Sequence, residues 1–254
     1  MKTLLEERLK ALGLENTAHQ LDGFVESASS NNISYFEFLN QVIEAEWTYK
    51  ESQLLAKRVS QAKFPYVKNL ADFDFSLQPS ISEQRVKEIL TCRYIGNGEN
   101  CILLGPPGVG KTHLAIGFGV EALTKGYSVR FITADDFMAQ CKISDSRNTL
   151  HYLIKRLSKP DVLIIDEIGY FPFDELAANT FFQIVSKRYE KGSMILTSNK
   201  SYIEWGHVFG DDILATAILD RLLHHSVTFN IKGESYRMKE KKKAGIFPAN
   251  HLTT

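Results

Sequence analysis

The stretch Gly105-Pro106-Pro107-Gly108-Val109-Gly110-Lys111-Thr112 decides the fold of this chain. It has the form G-x-x-x-x-G-K-[ST], follows the apolar run 101–104 and precedes a helix-like stretch, 111–125. Glycines let backbone N–H groups turn inward around anionic oxygens, and the positive end of the following helix adds to that attraction. The pattern predicts a phosphate-binding loop in which Lys111 contacts the β- and γ-phosphates and the Thr112 hydroxyl binds Mg²⁺. A glycine turn with only a packing role is the alternative.

A later apolar strand ends in a pair of carboxylates, Asp166 and Glu167. We expect Asp166 to hold Mg²⁺ through water, because Mg²⁺ keeps part of its hydration shell. Glu167 can then orient and deprotonate a water in line with the γ-phosphate, which contributes on the order of 10²–10⁴ in rate. Small-molecule kinases must exclude such a water, so the two carboxylates favour hydrolysis over phosphoryl transfer to a metabolite. Two surface acids that cap the next helix are the alternative.

Three further residues are candidates for contact with the nucleotide. Asn199 follows the apolar strand 193–198 and would position the attacking water if that strand lies between the two motif strands, although a turn also explains an asparagine there. Arg221 precedes the last strand and could enter a neighbouring subunit's site as an arginine finger, or form a helix salt bridge with Asp220 or another acid. Arg237 is a weaker candidate for sensing the nucleotide from its own subunit.

Short β-rich runs alternate with helix-like segments through the second part of the chain, which predicts an α/β fold with a parallel sheet. These runs are apolar rather than alternating, as strands covered on both faces should be, so we expect three layers. Functional residues should lie at the carboxyl ends of the strands. The five predicted strands are 101–105, 128–133, 161–166, 193–198 and 226–231.

The residues before the sheet read as helices. Leu5, Leu9 and Leu12 fall on one helical face, and 38–43 supplies a second apolar face after the capping-box pattern 34–37. The stretch 44–63 is charged and helix-prone.

Pro65 and the looser segment that follows it predict a boundary between domains. We expect a small all-helical interaction domain at 1–65, a linker at 66–79, and a nucleotide-binding domain at 80–254 that opens with the capping-box pattern 80–83. A plain helical extension of the core is the alternative.

Composition and charge restrict the possible partners. The chain has 254 residues, 44% of them hydrophobic, which is enough to bury one sizeable core. Its formal net charge is +0, so any DNA binding by one subunit alone should be weak and sensitive to salt. Basic residues between the second and third strands and in a C-terminal tail are DNA-binding candidates, with solvated surface charge as the alternative for each. They are Lys142, Arg147, Lys155, Arg156, Lys159, Lys241, Lys242 and Lys243.

Cysteine and histidine usage gives no sign of a metal site. The three cysteines have no paired metal-ligand spacing, and we expect buried reduced thiols in a cytoplasmic protein. His224 and His225 are adjacent, so their rings should point in different directions from a helix end and make a poor metal pair. No long apolar run indicates a membrane span, and the N-terminus lacks the form of a signal peptide.

Taken together, these motifs resemble the IstB/DnaC family of AAA+ ATPases, over nearly the whole chain. The phosphate-binding loop and the acidic pair alone indicate only a broad ATPase superfamily. The N-terminal helices and the short C-terminus restrict the resemblance to this family. Within the family the chain is most similar to the members that bacterial insertion sequences encode beside their transposase. The stretches that carry the resemblance are 62–65, 73–75, 105–112, 163–169, 197–199, 220–222 and 234–237.

The resemblance implies a P-loop NTPase fold of AAA+ type, with ATP and Mg²⁺ as cofactors, in the bacterial cytoplasm. It implies a homo-oligomer that assembles on double-stranded DNA, delivers a target site to its cognate transposase and hydrolyses ATP when that partner stimulates it. Lys111, Thr112, Asp166, Glu167 and Asn199 carry over as site residues. Arg221 carries over as the trans-acting finger and Arg237 as a second sensor. The stretch after the last strand is too short for the usual helical lid, so a neighbouring subunit should close in the nucleotide.

Other functions compete with this interpretation. A replicative helicase loader of the DnaC type shares the ATPase core but prefers single-stranded DNA, and exposed aromatic residues at Tyr152, Tyr170 and Phe171 would favour it. A small-molecule kinase would turn over as a monomer without DNA, and a non-hydrolysing adaptor would not need Lys111 and Glu167. Plausible neighbours of adenine are Phe73 and Phe75.

Overall fold

The computed structural model describes residues 2–68, 70, 73–236 and 238. By their internal contacts these residues divide into two compact units, Met1–Arg58 and Val59–Thr254. In chain order the elements are α1 (Lys2–Ala11), α2 (Glu15–Asn31), α3 (Tyr35–Ala62), α4 (Glu83–Leu90), α5 (Arg93–Gly96), β1 (Asn100–Leu104), α6 (Lys111–Thr124), β2 (Val129–Thr133), α7 (Ala134–Ser146), α8 (Leu150–Ser158), β3 (Val162–Ile168), α9 (Glu175–Arg188), β4 (Ser193–Ser198), α10 (Trp205–Phe209), α11 (Asp212–His224) and β5 (Ser226–Asn230).

The first unit consists of α1, α2 and most of α3. Its buried polar contact joins Glu46 to Thr17, whose backbone N–H and hydroxyl donate to Glu46 Oε2 at 2.7 and 2.9 Å. The predicted cap at Ser34 is confirmed, since its hydroxyl accepts the Glu37 N–H at 3.2 Å. The stretches 38–43 and 44–62 form one helix, which ends one residue before the predicted limit at 63, and the division between units falls inside it. The boundaries 1–65, 66–79 and 80–254 therefore stay predictions about separate domains.

The second unit contains a five-stranded sheet in the order β2-β3-β4-β1-β5. All four strand pairs are parallel. The strand β4 lies between β1 and β3, which is the arrangement that the interpretation of Asn199 required. The carboxyl ends of the two motif strands and of β4 are thus neighbours at one edge of the sheet.

Helices cover both faces of this sheet. The helix α6 contacts β1 to β4 on one face, whereas α7 contacts β2 and β3 on the other and packs with α8 and α9. Along β1, Ile102 and Leu104 join the apolar cluster beneath α7 to α11, and Leu103 between them faces the other way. The first four strands are mostly or wholly buried, as their continuous apolar sequences indicated. The three-layer α/β fold and its five strands are confirmed.

The start of α4 differs from the sequence expectation. The N-cap is Ser82, whose hydroxyl accepts the Arg85 N–H at 3.4 Å, so the capping-box assignment to Ser80 was wrong. The Ser80 hydroxyl instead donates to Lys232 O at 2.9 Å and accepts from Lys232 N at 2.8 Å. A long-range contact that only the folded chain provides has replaced the local one.

Cysteines and histidines give one confirmation and one correction. Cys92, Cys101 and Cys141 are free and buried, as expected. His224 and His225 are exposed at a helix end, but their ring centroids lie 4.1 Å apart and both rings approach Glu190. The expectation of divergent rings was wrong because α11 ends at His224 and the backbone of His225 is extended. No helix in the described ranges has the length and apolar character needed to cross a membrane.

Candidate functional site

The loop between β1 and α6 has the backbone shape of an anion nest. Gly108 and Gly110 have φ angles of +81° and +98°, in the left-handed region that favours glycine. A side chain at Gly108 would also collide with Ser235, and one at Gly110 with Phe73. Glycine at these two positions therefore allows both the turn of the loop and the close packing around it.

Lys111 begins α6 and its side chain is folded back over the loop. Its Nζ donates to the carbonyl oxygens of Gly105 at 2.6 Å and Pro106 at 2.8 Å, and the residue is buried. The same ammonium group would have to exchange these carbonyls for phosphate oxygens when a nucleotide binds. The loop thus holds the ammonium group of Lys111 in place beside the nest.

Three hydroxyl and carboxylate groups meet where β1, β3 and β4 end. Thr112 Oγ1 lies 3.0 Å from both carboxylate oxygens of Asp166. Thr197 on β4 donates to Asp166 Oδ1 at 2.5 Å, and its hydroxyl accepts the backbone N–H of Glu167 at 2.9 Å. Burial raises the pKa of Asp166, and the hydrogen bonds from Thr197 and Thr112 oppose that rise. We did not predict a site role for Thr197; the polar end of its apolar strand was the available signal.

A β-bulge separates the roles of the two carboxylates. The register between β3 and β4 shifts between Ile165 and Ile168, and Glu167 has a φ of +65°. Asp166 is consequently buried, whereas Glu167 is exposed and lines the cavity next to the loop. Left-handed backbone at a non-glycine residue costs free energy and is common at functional sites.

The cavity beside the loop has a volume of about 290 Å³. Two distant segments close around it: Tyr236 donates its N–H to Gly108 O at 2.9 Å and its hydroxyl to Asp74 O at 2.5 Å. The Phe73 ring packs 5.9 Å from that of Tyr236 and 4.9 Å from that of Phe75. Phe73 lines the cavity, and Phe75 does not. The other lining residues are Tyr66, Lys68, Gly110, Lys111, Thr112, His113, Glu167, Tyr170 and Thr197.

Asn199 and Arg221 are not among the residues that line the cavity. Asn199 directly follows β4, and its Oδ1 is shielded from solvent without a hydrogen-bond partner in the described part of the chain. The Arg221 guanidinium lies 4.8 Å from the centre of the Phe182 ring and donates to Ala217 O at 3.0 Å. Among the described residues it forms no ion pair, so the predicted alternative of a bridge to Asp220 is not observed.

Five of the eight DNA-binding candidates lie on α7, on α8 or just after one of these helices. Lys142 pairs with Asp174 at 3.0 Å, and Arg156 donates to Gln140 at 2.6 Å. Arg147, Lys155 and Lys159 are exposed. Arg237 and the tail lysines Lys241, Lys242 and Lys243 lie outside the described residues.

The residues at the loop fit a nucleoside triphosphate with Mg²⁺. Oxygen atoms of Thr112 and Asp166 supply the hard donor set that Mg²⁺ prefers. Inward-turned backbone at Gly108 and Gly110 and the start of α6 supply donors for phosphate. The neighbouring cavity is lined in part by Phe73, an aromatic residue that a base could contact. These groups can bind a phosphate chain and place Glu167 next to it.

Comparison with known proteins decides the family. The model of the IstB-like ATP binding proteins matches residues 7–244. The chain belongs to this family. One relative, named for the ATP-binding protein of insertion sequence IS21 in Pseudomonas aeruginosa, is 46% identical over 246 residues, covering 97% of this chain and 93% of the relative. Another, named for insertion sequence IS5376 of Geobacillus stearothermophilus, is 47% identical over 242 residues, covering 95% and 96%.

Solved structures place this IstB-like protein in the AAA+ P-loop fold. The AMPPCP-bound DnaA of Aquifex aeolicus superposes with a TM-score of 0.55 at 23% identity, covering 73% of this chain and 57% of that chain. A structure of DnaI gives a TM-score of 0.53 at 22% identity, with coverage of 66% and 89%. Identities this low show a common fold, and the function must be argued from the site.

Proposed function

We propose that this IstB-like protein is an ATPase that assists transposition by assembling on double-stranded DNA. The observation that carries the proposal is the meeting of Thr112, Asp166 and Glu167 beside a glycine nest that opens into a cavity. Lys111, Thr112 and the backbone of 105–112 would hold the phosphates. Asp166, with Thr112, would hold Mg²⁺ through oxygen ligands.

Glu167 is the proposed general base. Its side chain is exposed to the cavity, while the Thr197 hydroxyl holds its backbone N–H at 2.9 Å. A carboxylate fixed in this way can take a proton from a water that attacks the terminal phosphate. Bound Mg²⁺ neutralises charge on the phosphate oxygens. Asn199 would orient the same water after a small movement of the chain past β4.

A complete site requires a second subunit in this proposal. Arg221 lies outside its own cavity and faces the ring of Phe182 instead. An arginine that approaches from a neighbouring copy could stabilise the charge of the transition state, which is worth about 10³–10⁵ in other systems. Hydrolysis would then depend on assembly, and the sensor role of Arg237 would remain within its own subunit.

DNA contact would come from many weak cationic contacts. The buried face of α8 consists of Leu153, Ile154 and Leu157, so the helix directs Lys155 and Arg156 to solvent. No acidic residue occurs within this helix. Because the chain has a formal net charge of +0, tight binding would require several subunits on one duplex, each contacting phosphates.

The role in transposition rests on family membership. Relatives at 46% and 47% identity carry the names of insertion-sequence ATP-binding proteins, which supports a partnership with a transposase and the delivery of target DNA to it. One observation favours the loader of replicative helicases as a second candidate: Tyr152, Tyr170 and Phe171 are 63%, 44% and 61% exposed. Exposed aromatic rings can stack on the bases of single-stranded DNA.

Mass and DNA binding measured on one sample test both candidates. Light scattering and gel shift would compare double- and single-stranded DNA of equal length, with ATP, with ADP and without nucleotide. We expect ATP-dependent growth into a large complex on duplex DNA, and Lys111→Ala should abolish it. Preference for the single strand would support the loader instead. Protein that stays monomeric and binds neither form of DNA with ATP, with ADP or without nucleotide would overturn both candidate functions.

A further inference from the structure

A cluster of three potential metal ligands lies at the amino ends of the strands, opposite the end of the sheet that carries the nucleotide cavity. Glu190 is in the turn between α9 and β4, His224 is the last residue of α11, and His225 immediately precedes β5. The strands β4 and β5 flank β1, so the cluster gathers at the amino ends of these strands. Nothing in the nucleotide site involves these residues.

The distances within the cluster suit a single ion. His225 Nε2 lies 3.7 Å from Glu190 Oε1, and His224 Nδ1 lies 4.0 Å from the same oxygen. One ligand atom from each residue falls within 4.8 Å of the others. Two atoms bound to one zinc ion at the tetrahedral angle are about 3.4 Å apart. Side chains that are half exposed can close this difference by small rotations.

The backbone beneath the cluster is already fixed. Asn100 donates its N–H to His225 O at 2.8 Å and its side-chain amide to Leu222 O at 3.0 Å. Its Oδ1 accepts the Met194 N–H at 2.9 Å, which ties the end of α11 to the start of β4. Glu190 itself has a φ of +56°, a backbone that costs a non-glycine residue free energy. The ligands therefore project from a frame that does not need to form on binding.

We propose that Glu190, His224 and His225 bind one divalent transition-metal ion, with zinc as the best match. Two imidazole nitrogens and one carboxylate oxygen form a ligand set that suits zinc and leaves a fourth position open. The Tyr189 hydroxyl lies 2.8 Å from His224 Nδ1, so an ion bound at that nitrogen would replace this hydrogen bond. Mg²⁺ prefers oxygen ligands, so this site is separate in chemistry from the nucleotide site.

Bound metal would link α11 to the turn before β4. Arg221 lies three residues before His224, the last residue of this helix, so the ion would restrain the helix end that carries the proposed finger. Protonated histidines beside Glu190 offer a competing explanation, an ion pair without metal. The two explanations differ in their response to zinc.

Calorimetric titration of the metal-stripped full chain with Zn²⁺, without nucleotide, tests the site. We expect one ion per chain, a rise in melting temperature and a visible d–d spectrum with Co²⁺, all persisting in excess Mg²⁺. His225→Ala and Glu190→Gln should each weaken binding at least about tenfold, whereas His19→Ala, an exposed histidine elsewhere, should bind as wild type.

Glu190→Gly separates a ligand from a merely structural residue. The substitution removes the carboxylate and relieves the left-handed backbone, so the apo protein should melt at the same or a higher temperature while the response to Zn²⁺ is lost. Zinc binding that is equal in wild type, His225→Ala and Glu190→Gly would overturn the proposal. So would a melting temperature that Zn²⁺ does not change, which is the behaviour of the ion pair alone.

Discussion

Thr197 donates its hydroxyl to Asp166 at 2.5 Å across the boundary between β4 and β3. The same oxygen accepts the Glu167 N–H, so one side chain fixes the Mg²⁺ candidate and the base candidate together. Since Thr197 and Asp166 are both buried, solvent cannot replace the bond if it is lost. We infer that Thr197 positions the two carboxylates and does not itself react.

Thr197→Val should therefore impair hydrolysis more than nucleotide binding. The variant keeps the shape of the side chain but removes one hydrogen bond from Asp166, which retains Thr112, and leaves the Glu167 N–H without this partner. The free energy of unfolding should fall by about 1–3 kcal/mol. A misplaced base can cost up to about 10²-fold in turnover. Urea unfolding and ATPase assays would measure both effects.

The matched control for this change is Thr180→Val. Thr180 is also buried and donates to Leu176 O at 2.7 Å, away from the cavity. It should lose stability and keep its turnover per folded molecule. Equal turnover in the two variants would contradict the positioning role of Thr197.

Glu167→Gln should keep ATP binding and trap the DNA-bound oligomer. The amide can still occupy the exposed position at the bulge but cannot take a proton, so turnover should fall by about 10²–10⁴. Nucleotide affinity by fluorescence titration, turnover and gel shift would be compared with Glu175→Gln, an exposed acid on α9. Normal turnover in Glu167→Gln would remove Glu167 from the mechanism.

Arg221→Ala should leave nucleotide affinity nearly intact and abolish DNA-stimulated hydrolysis. The guanidinium does not line its own cavity, so the loss should appear only in assembled protein. Arg85→Ala is the matched control, because Arg85 lies over the Phe229 ring at 5.5 Å as Arg221 lies over Phe182 at 4.8 Å. Mixing Arg221→Ala with Lys111→Ala should restore some activity at hybrid interfaces. Absence of any rescue would argue against action in trans.

Local sequence patterns sufficed for the sheet and for the loop. The strands β1, β3 and β4 each contain a continuous apolar run, and glycine spacing with Lys111 and Thr112 defined the nest before any contact was known. The order of the strands was not accessible in the same way, because it depends on crossovers between distant segments. The position of β4 between the two motif strands could therefore be established only from the structure.

The features of the site that sequence analysis did not predict depend on contacts between residues far apart in the chain. Tyr236 reaches Asp74, and Ser80 pairs with Lys232, so the cavity is closed by segments that no local pattern connects. The bulge at Glu167 is a similar case, since a run of apolar residues gives no sign of where pairing with β4 slips. Arg237 lies outside the described residues, so its role as a nucleotide sensor stays a prediction.

Arg188 is a buried cation without a role in the nucleotide site, and it should be essential for stability. Its guanidinium donates to five carbonyl oxygens around the amino ends of β3 and β4, and burial lowers its pKa to about 10. The acceptors belong to Leu157, Ser158, Pro160, Asp161 and Ser193. Arg188→Met removes the donor that these acceptors share and should lower the free energy of unfolding by about 3–5 kcal/mol in urea denaturation. Lys187→Met, on the exposed side of the same helix, should change it by less than about 0.5 kcal/mol. Equal stability of the two variants would mean that water or backbone rearrangement replaces the guanidinium.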